Sequence, residues 1–320
     1  MSYTIVTGAA GFIGCNIARR LAASGSNVIA VDRLGSDNRW RNLLDIELAD
    51  YWDADALFPQ LNKIAYQVDA FVHMGASSAT TELDAGFLMR NNFEYSKKCF
   101  EWCQEAGVKI IYASSAATYG DGMLGYADEE EEIGQLRPLN PYGWSKQLFD
   151  VWQLKQQTRP PQVVGLKFFN VYGPYESHKN SMASVLLHAF NSLKKGEDIK
   201  LFKSHKEGYA DGQQMRDFIY IEDVVDIVEH LLSNAEIQGI FNVGTGQARS
   251  FADLAKSVCN AMDVEERIQY IDMPEGLRQR YQYFTEATVD KLRSTGWRSP
   301  FTTLENGARE YVRFLNKFYV

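Results

Sequence analysis

The chain has 320 residues, of which 45% are hydrophobic, 13% aromatic and 23% charged. This length allows about two domains, and the composition excludes a wholly disordered or low-complexity chain. The formal net charge of −8 argues against a general nucleic-acid binder, which needs Lys and Arg in excess to neutralise phosphates. It leaves room for a local basic pocket around a small phosphorylated ligand.

No apolar run approaches the roughly 18 residues of a membrane span, so neither a membrane nor a nucleic acid is expected as a partner. The start, Met1-Ser2-Tyr3-Thr4-Ile5-Val6-Thr7-Gly8, has no basic segment and reaches glycine at once, unlike a signal peptide. Cys15, Cys99, Cys103 and Cys259 form no CxxC pair. They read as small apolar residues of a reducing compartment, so a cytoplasmic location and no metal site are expected.

In chain order, residues 3–7, 27–32, 69–73 and 108–113 are short, apolar and strand-like, with helical patterns between them at 14–23 and 85–106. Buried runs separated by helices predict a parallel sheet covered on both faces. The acidic run 128–132 is expected to be a solvated loop without function. A helix over 142–157 leads to another buried run, 162–168. Beyond about residue 172 the alternation fades: 180–193 and 251–262 look helical, 239–243 strand-like, and 303–318 is a last amphipathic helix. The predicted fold is α/β, a Rossmann-type doubly wound parallel sheet with a smaller substrate lobe. Residues 1–172, with 217–245 returning to them, are expected to form the dinucleotide-binding domain, and 173–216 with 246–320 the substrate-binding domain.

The first predicted strand runs into Gly8-Ala9-Ala10-Gly11-Phe12-Ile13-Gly14. Glycine lets backbone turn tightly and approach a pyrophosphate, and the following helix offers N–H groups to the anion. The spacing is GxxGxxG at the first strand-to-helix junction. Asp32 ends the second strand, where a carboxylate suits the adenosine ribose hydroxyls of NAD. Arg33 and Arg39 lie close behind it; guanidinium groups there favour a 2′-phosphate, which puts NADP ahead of NAD.

Tyr142-Gly143-Trp144-Ser145-Lys146 places a phenol and an ammonium at i and i+4, on one helix face. The ammonium is expected to lower the phenol pKa from near 10. A phenolate beside a nicotinamide can take the proton of a hydroxyl while hydride leaves the same carbon. Ser114-Ser115 follows a predicted strand, at the carboxyl edge where open α/β sheets bind ligands. A Ser115 hydroxyl there can bond the reacting oxygen.

Together, Gly8, Gly11 and Gly14, Asp32, Ser115, Tyr142 and Lys146 resemble the extended short-chain dehydrogenase/reductase superfamily, mostly nucleotide-sugar epimerases, dehydratases and reductases. Longer strings resemble the ADP-L-glycero-D-manno-heptose 6-epimerase family: Tyr112 through Gly120, Phe169-Asn170-Val171-Tyr172-Gly173-Pro174, His178 through Ser184, Gly244-Thr245-Gly246 and Arg280-Tyr281-Gln282. The likeness runs from Thr4 to Leu315. It implies inversion at C6″ of an ADP-linked heptose for the lipopolysaccharide inner core, by transient oxidation with bound NADP, in a homopentamer.

By the same resemblance the two bases match Tyr142 and Lys179, and Lys146 also holds the nicotinamide ribose. Cofactor contacts fall on Phe12, Ile13, Asp32, Arg33, Arg39, Met74, Gly75, Ala76, Ser77, Ser78, Asn91, Lys146, Val171 and Lys179. Substrate contacts fall on Asn170, Ser181, His188, Phe202, Lys203, Ser204, His205, Arg216 and Tyr281. Read from residue chemistry alone, Lys179 is a base, a diphosphate ligand or an exposed loop lysine. Arg216 suits a diphosphate, while His188 and Tyr281 serve equally as ordinary helix and core residues.

Four departures stand out. Asn180 replaces the family's glycine, Tyr175 stands where arginine is common, Arg33 where a small amide is expected, and 206–215 is longer than usual. A 4,6-dehydratase would carry an acid pair where Ala116 and Ala117 stand. A UDP-hexose 4-epimerase shares the Ser, Tyr and Lys set and is the enzymatic alternative. A non-catalytic dinucleotide sensor is the alternative from another class.

Overall fold

The computed structural model describes residues 2–278 and 281–318. Strand β1 (Tyr3–Thr7) passes through the glycine loop into helix α1 (Phe12–Ala23), then β2 (Asn27–Asp32), β3 (Asp50–Asp53), α2 (Leu57–Ile64) and β4 (Val68–His73). Helix α3 (Ala85–Leu88) continues through a π-helical turn, Met89–Glu94, into α4 (Tyr95–Ala106). Then come β5 (Lys109–Ser115), α5 (Pro141–Leu154), β6 (Val163–Phe168), β7 (Asn170–Tyr172), a 3-10 turn at Ser177–Met182, α6 (Val185–Lys194) and β8 (Ile199–Phe202). The chain closes with β9 (Met215–Tyr220), α7 (Ile221–Ser233), β10 (Gly239–Val243), β11 (Ala248–Ser250), α8 (Phe251–Met262), β12 (Ile268–Ile271), α9 (Glu275–Arg278), α10 (Asp290–Ser294) and α11 (Leu304–Phe318).

Seven strands form one sheet in the order β10-β6-β5-β4-β1-β2-β3, and every pairing in it is parallel. The apolar runs explain this. Val6, Ala30, Val72, Ile111 and Leu166 are buried in one core cluster and Ile5, Ile29, Phe71, Ile110 and Val163 in another, so near-continuous hydrophobicity is what each strand requires. The doubly wound α/β fold is therefore as expected. Two smaller sheets, β11-β9-β7 and β12-β8, lie outside it. No described helix is long and apolar enough to cross a membrane.

Two expectations are corrected, and one strand is added to them. The helix expected over 180–193 starts only at Val185, because the Ser184 side chain caps it, accepting from the Leu187 N–H. The stretch before it is a 3-10 turn in which Asn180 has φ 49° and ψ −120°. The acidic run 128–132 is not simply solvated. Asp128 is buried and accepts the Asn242 N–H at 2.7 Å, and Glu130 accepts the Ile240 N–H at 2.9 Å. These carboxylates satisfy the open edge of β10, and Lys291 pairs with Glu130 at 3.1 Å. The edge strand β3 was not visible in the sequence: Asp50-Tyr51-Trp52-Asp53 lacks the apolar β-branched pattern of its neighbours.

Candidate active site

The glycine loop sits at the carboxyl edge of the central sheet. Gly8 has φ +65°, and a Cβ there would lie 2.7 Å from the Gly75 backbone. A Cβ on Gly14 would lie 2.1 Å from the Gly8 carbonyl. Both glycines therefore let β1, α1 and the segment after β4 pack at backbone contact. Gly11 caps α1 with no side-chain partner, and the first turn holds no acid. The N–H groups of this turn and the positive end of the helix are thus available to an anion.

Asp32 is buried, accepting the Ala10 N–H at 2.8 Å and the Arg33 N–H at 2.7 Å. Burial pushes its pKa up, and the two N–H groups and Arg39 pull against that. Arg39 lies 3.9 Å from Asp32 but makes its close pair with Asp37, at 2.7 Å. Arg33 pairs with Asp55 at 2.5 Å and donates to Asn91 at 3.1 Å. The segment Met74 through Ser78 crosses over the loop: Gly75 donates to Thr7 Oγ1 at 3.1 Å. Asn92 on the π-helical turn holds that segment. It accepts the Ser77 N–H at 2.8 Å, and its amide donates to the Ser77 carbonyl at 3.0 Å and to Ser145 Oγ at 3.1 Å. Asn92 was not among the residues singled out in the sequence; a π-turn, which often marks a functional site, leaves no sequence signature.

Helix α5 starts at Asn140, whose side chain accepts the Gly143 N–H, with Pro141 at the first helical position. It carries Tyr142 and Lys146, both buried. Ser115, at the end of β5, acts on the Tyr142 phenol and favours its phenolate. The Lys146 ammonium turns to the Ala113 carbonyl at 3.0 Å. This changes the expected balance at the phenol. Burial raises the Tyr142 pKa, Asp150 adds to that, and the opposing pull comes from Ser115 rather than from Lys146. Burial in turn lowers Lys146 to about 8, against the charge of Asp150.

Lys179 lies in the 3-10 turn, its ammonium 5.2 Å from the centroid of the Phe12 ring at the start of α1. Burial lowers its pKa and Glu176 opposes the shift. Two side chains lock this turn to the nucleotide side. Asn16 donates to the Pro174 carbonyl at 3.1 Å. Asn42 donates to the Ala10 carbonyl at 2.9 Å and the Tyr175 carbonyl at 3.1 Å. Tyr175, with φ 74°, takes the Arg19 guanidinium over its ring at 4.7 Å.

The other candidates fall into two groups. Phe202, Arg216 and Tyr281 converge: Tyr281 packs at 6.2 Å from Phe202 and 5.1 Å from the Arg216 guanidinium. Beside them is a cavity of about 510 Å³ lined by Asp121, His205, Lys206, Arg278, Tyr281 and Tyr283, among others. The His205 N–H donates to the Tyr283 hydroxyl at 2.9 Å, and the Ser204 N–H to Asp211 at 2.8 Å. Lys203 pairs with Asp272 at 3.3 Å. Tyr283 and Lys206 were missed in the sequence. Within the segment 206–215, Tyr209 packs at a tilt of 59° against Tyr283, centroids 5.1 Å apart, with Lys206 over both rings. In the second group, Asn170, Ser181 and His188 are exposed, and no hydrogen bond or ring contact among the described residues ties them to this cavity. Val171 is half-buried in β7, and Arg280 lies outside the described residues.

Residues 4–244 match the model of the NAD dependent epimerase/dehydratase family. The chain belongs to this family. Among epimerase/dehydratase proteins it is 48% identical to an ADP-L-glycero-D-manno-heptose-6-epimerase of Fusobacterium nucleatum, covering 97% of this chain and 96% of that one. It is 50% identical to the protein of the same name from Nitratidesulfovibrio vulgaris, with the same coverage. The crystal structure of Helicobacter pylori ADP-L-glycero-D-manno-heptose-6-epimerase superposes with a TM-score of 0.82 at 28% identity, covering 98% of this chain and 96% of that one. Thermus thermophilus UDP-glucose 4-epimerase in complex with NAD superposes at 0.81 with 25% identity and 99% coverage of both. The family explains why one chain joins a dinucleotide-type loop to a Ser, Tyr and Lys cluster. The ADP-heptose relatives, at nearly full length, rank above the 4-epimerase alternative.

Proposed function

We propose that the protein interconverts ADP-D-glycero-D-manno-heptose and its L-glycero epimer by transient oxidation at C6″, with NADP held throughout. One observation carries the reading most: a buried phenol, its phenolate favoured by Ser115 and on the same helix as a buried ammonium, lies at the sheet edge that also bears the glycine loop. The residues fit a dinucleotide. The free first turn of α1 faces where a pyrophosphate would sit, Gly11 presents no side chain to it, and Asp32 is fixed for the ribose hydroxyls.

Bound there, the nicotinamide supplies a hydride acceptor and donor. The protein moves the protons. Tyr142, its phenolate favoured by the Ser115 hydroxyl, takes the C6″ hydroxyl proton of one epimer. Lys179, its proton loosened by burial, serves the other epimer, so that hydride returns to the opposite face of the ketone. Lys146 fixes the nicotinamide ribose. Preference for NADP over NAD rests on Arg33 and Arg39 flanking Asp32, which would exchange Asp55 and Asp37 for a 2′-phosphate.

The lobe formed by residues 173–216 and 246–320 takes the ADP moiety. Arg216, Lys206 and Arg278 supply positive charge, and Tyr281 and Tyr283 supply faces for the base. The protein works in the cytoplasm as a homo-oligomer, a pentamer by resemblance. The test is incubation of purified protein, with no cofactor added, with ADP-D-glycero-D-manno-heptose, following the L-glycero epimer by NMR. Conversion of UDP-glucose instead would replace the reading with a 4-epimerase. Mass spectrometry of the nucleotide released on denaturation decides between NADP and NAD.

A further inference from the structure

Behind Ser115, Tyr142 and Lys146 lies an ion pair with no solvent contact. Lys167 of β6 and Asp150 of α5 are 3.0 Å apart, each side chain 0% exposed. Burying two charges is costly, and an apolar pair of similar volume commonly packs as well or better, so stability alone is a weak reason for it. The partners of the pair point elsewhere. Asp150 accepts from Ser114 Oγ at 2.6 Å and from the Tyr112 hydroxyl at 3.0 Å. Lys167 donates to Thr118 Oγ1 at 2.6 Å, with its ammonium 5.0 Å from the Tyr119 ring centroid. Thr118 passes the contact on, donating to the Ser115 carbonyl at 2.8 Å.

The topology gives this network a task. Ser114 and Ser115 end β5, whereas Tyr142 and Lys146 ride on α5, so the approach of the Ser115 hydroxyl to the Tyr142 phenol depends on how the strand end sits against the helix. Asp150 stands one helical turn beyond Lys146 and reaches back to Ser114. Lys167 reaches from the neighbouring strand through Thr118 to the Ser115 backbone. Strand end and helix are thereby tied on both sides of the serine.

We propose that the Asp150–Lys167 pair, acting through Ser114 and Thr118, is a positioning device that holds the Ser115 hydroxyl against the Tyr142 phenol. This rests on the epimerase reading of Ser115, Tyr142 and Lys146. Asp150 and Lys167 touch no reacting atom. Their effect is on geometry, where a displacement of about 1 Å can cost on the order of 100-fold in rate.

The test uses the purified protein with its retained dinucleotide. Thr118→Val keeps the side-chain shape and cuts the link between Lys167 and Ser115. It is expected to lower kcat by on the order of 10- to 100-fold while KM and dinucleotide content stay at the parent values. Thr118→Ser, which restores the hydroxyl, recovers the rate. The neutral double variant Asp150→Asn with Lys167→Met repeats the loss, and Lys167→Arg retains activity. A parental kcat in folded Thr118→Val, with only a lower melting temperature, overturns the proposal. Should the double variant not fold, Thr118→Val decides alone. Failure of the underlying reading would look different: Tyr142→Phe would itself remain active.

Discussion

Replacing Gly14 by alanine tests the cofactor loop most directly, because its consequence can be worked from contact distances. The added Cβ would lie 2.1 Å from the Gly8 carbonyl oxygen and 2.7 Å from its carbon, distances that real Cβ atoms do not adopt. Either the loop or the start of α1 must move by about 1 Å, which stretches any N–H to phosphate bond beyond hydrogen-bond range. Each bond to a charged group contributes about 1.5–3 kcal/mol. Loss of two gives about 3–6 kcal/mol, or roughly 10²- to 10⁴-fold in dinucleotide affinity. The overpacking also destabilises the fold by about 1–3 kcal/mol.

Gly11→Ala is the control. Its Cβ has Gly8 O at 3.1 Å as its one near neighbour and otherwise meets open space. Stability should change by less than about 1 kcal/mol, yet the methyl occupies the approach to the pyrophosphate. The assay is nucleotide content after denaturation, read by absorbance, beside thermal unfolding. Gly14→Ala should lose nucleotide and melting temperature; Gly11→Ala should lose nucleotide only. Full nucleotide content in Gly11→Ala would refute the placement of a dinucleotide on this loop.

Further outcomes follow from the site. Tyr142→Phe should lower kcat by about 100-fold or more, the scale of a lost general acid/base; near-parental turnover on both epimers removes the role. Lys179→Ala should slow interconversion in both directions, and unchanged rates discard the two-base scheme. Lys146 has its pKa lowered to about 8 by burial, so between about pH 8 and the ordinary lysine value near 10.4 the unfolded chain binds the extra proton and stability rises with pH. Urea titrations should then find Lys146→Met more stable than the parent at pH 7 by up to about 3 kcal/mol, with the gap closing toward pH 10; a pH-independent gap contradicts the shift. Asn180→Gly relieves a backbone at φ 49°, ψ −120° and should stabilise by about 1 kcal/mol, measured by thermal unfolding, whereas a loss would mean the asparagine side chain compensates the strain.

Much of this protein was legible from local pattern. The apolar runs of β1, β2, β4, β5 and β6 are buried on both faces, so each strand's composition already stated its environment. The glycine spacing and the i, i+4 pair of Tyr142 and Lys146 are short-range relations set by helix and turn geometry, and they survive without any tertiary context. The same holds for the Ser-Ser at the end of β5.

What only the folded chain decided depends on groups distant in sequence meeting with no periodic trace. Asn92 reaches across to Ser145, and Lys206 stacks on Tyr283. Arg33 turns from a free cation into the partner of Asp55. Asp128 and Glu130 looked like solvent charges until β10 arrived beside them with unpaired N–H groups. The Tyr142 phenol is governed by burial and Ser115 rather than by Lys146, because desolvation is a property of the packed site and not of a helix face.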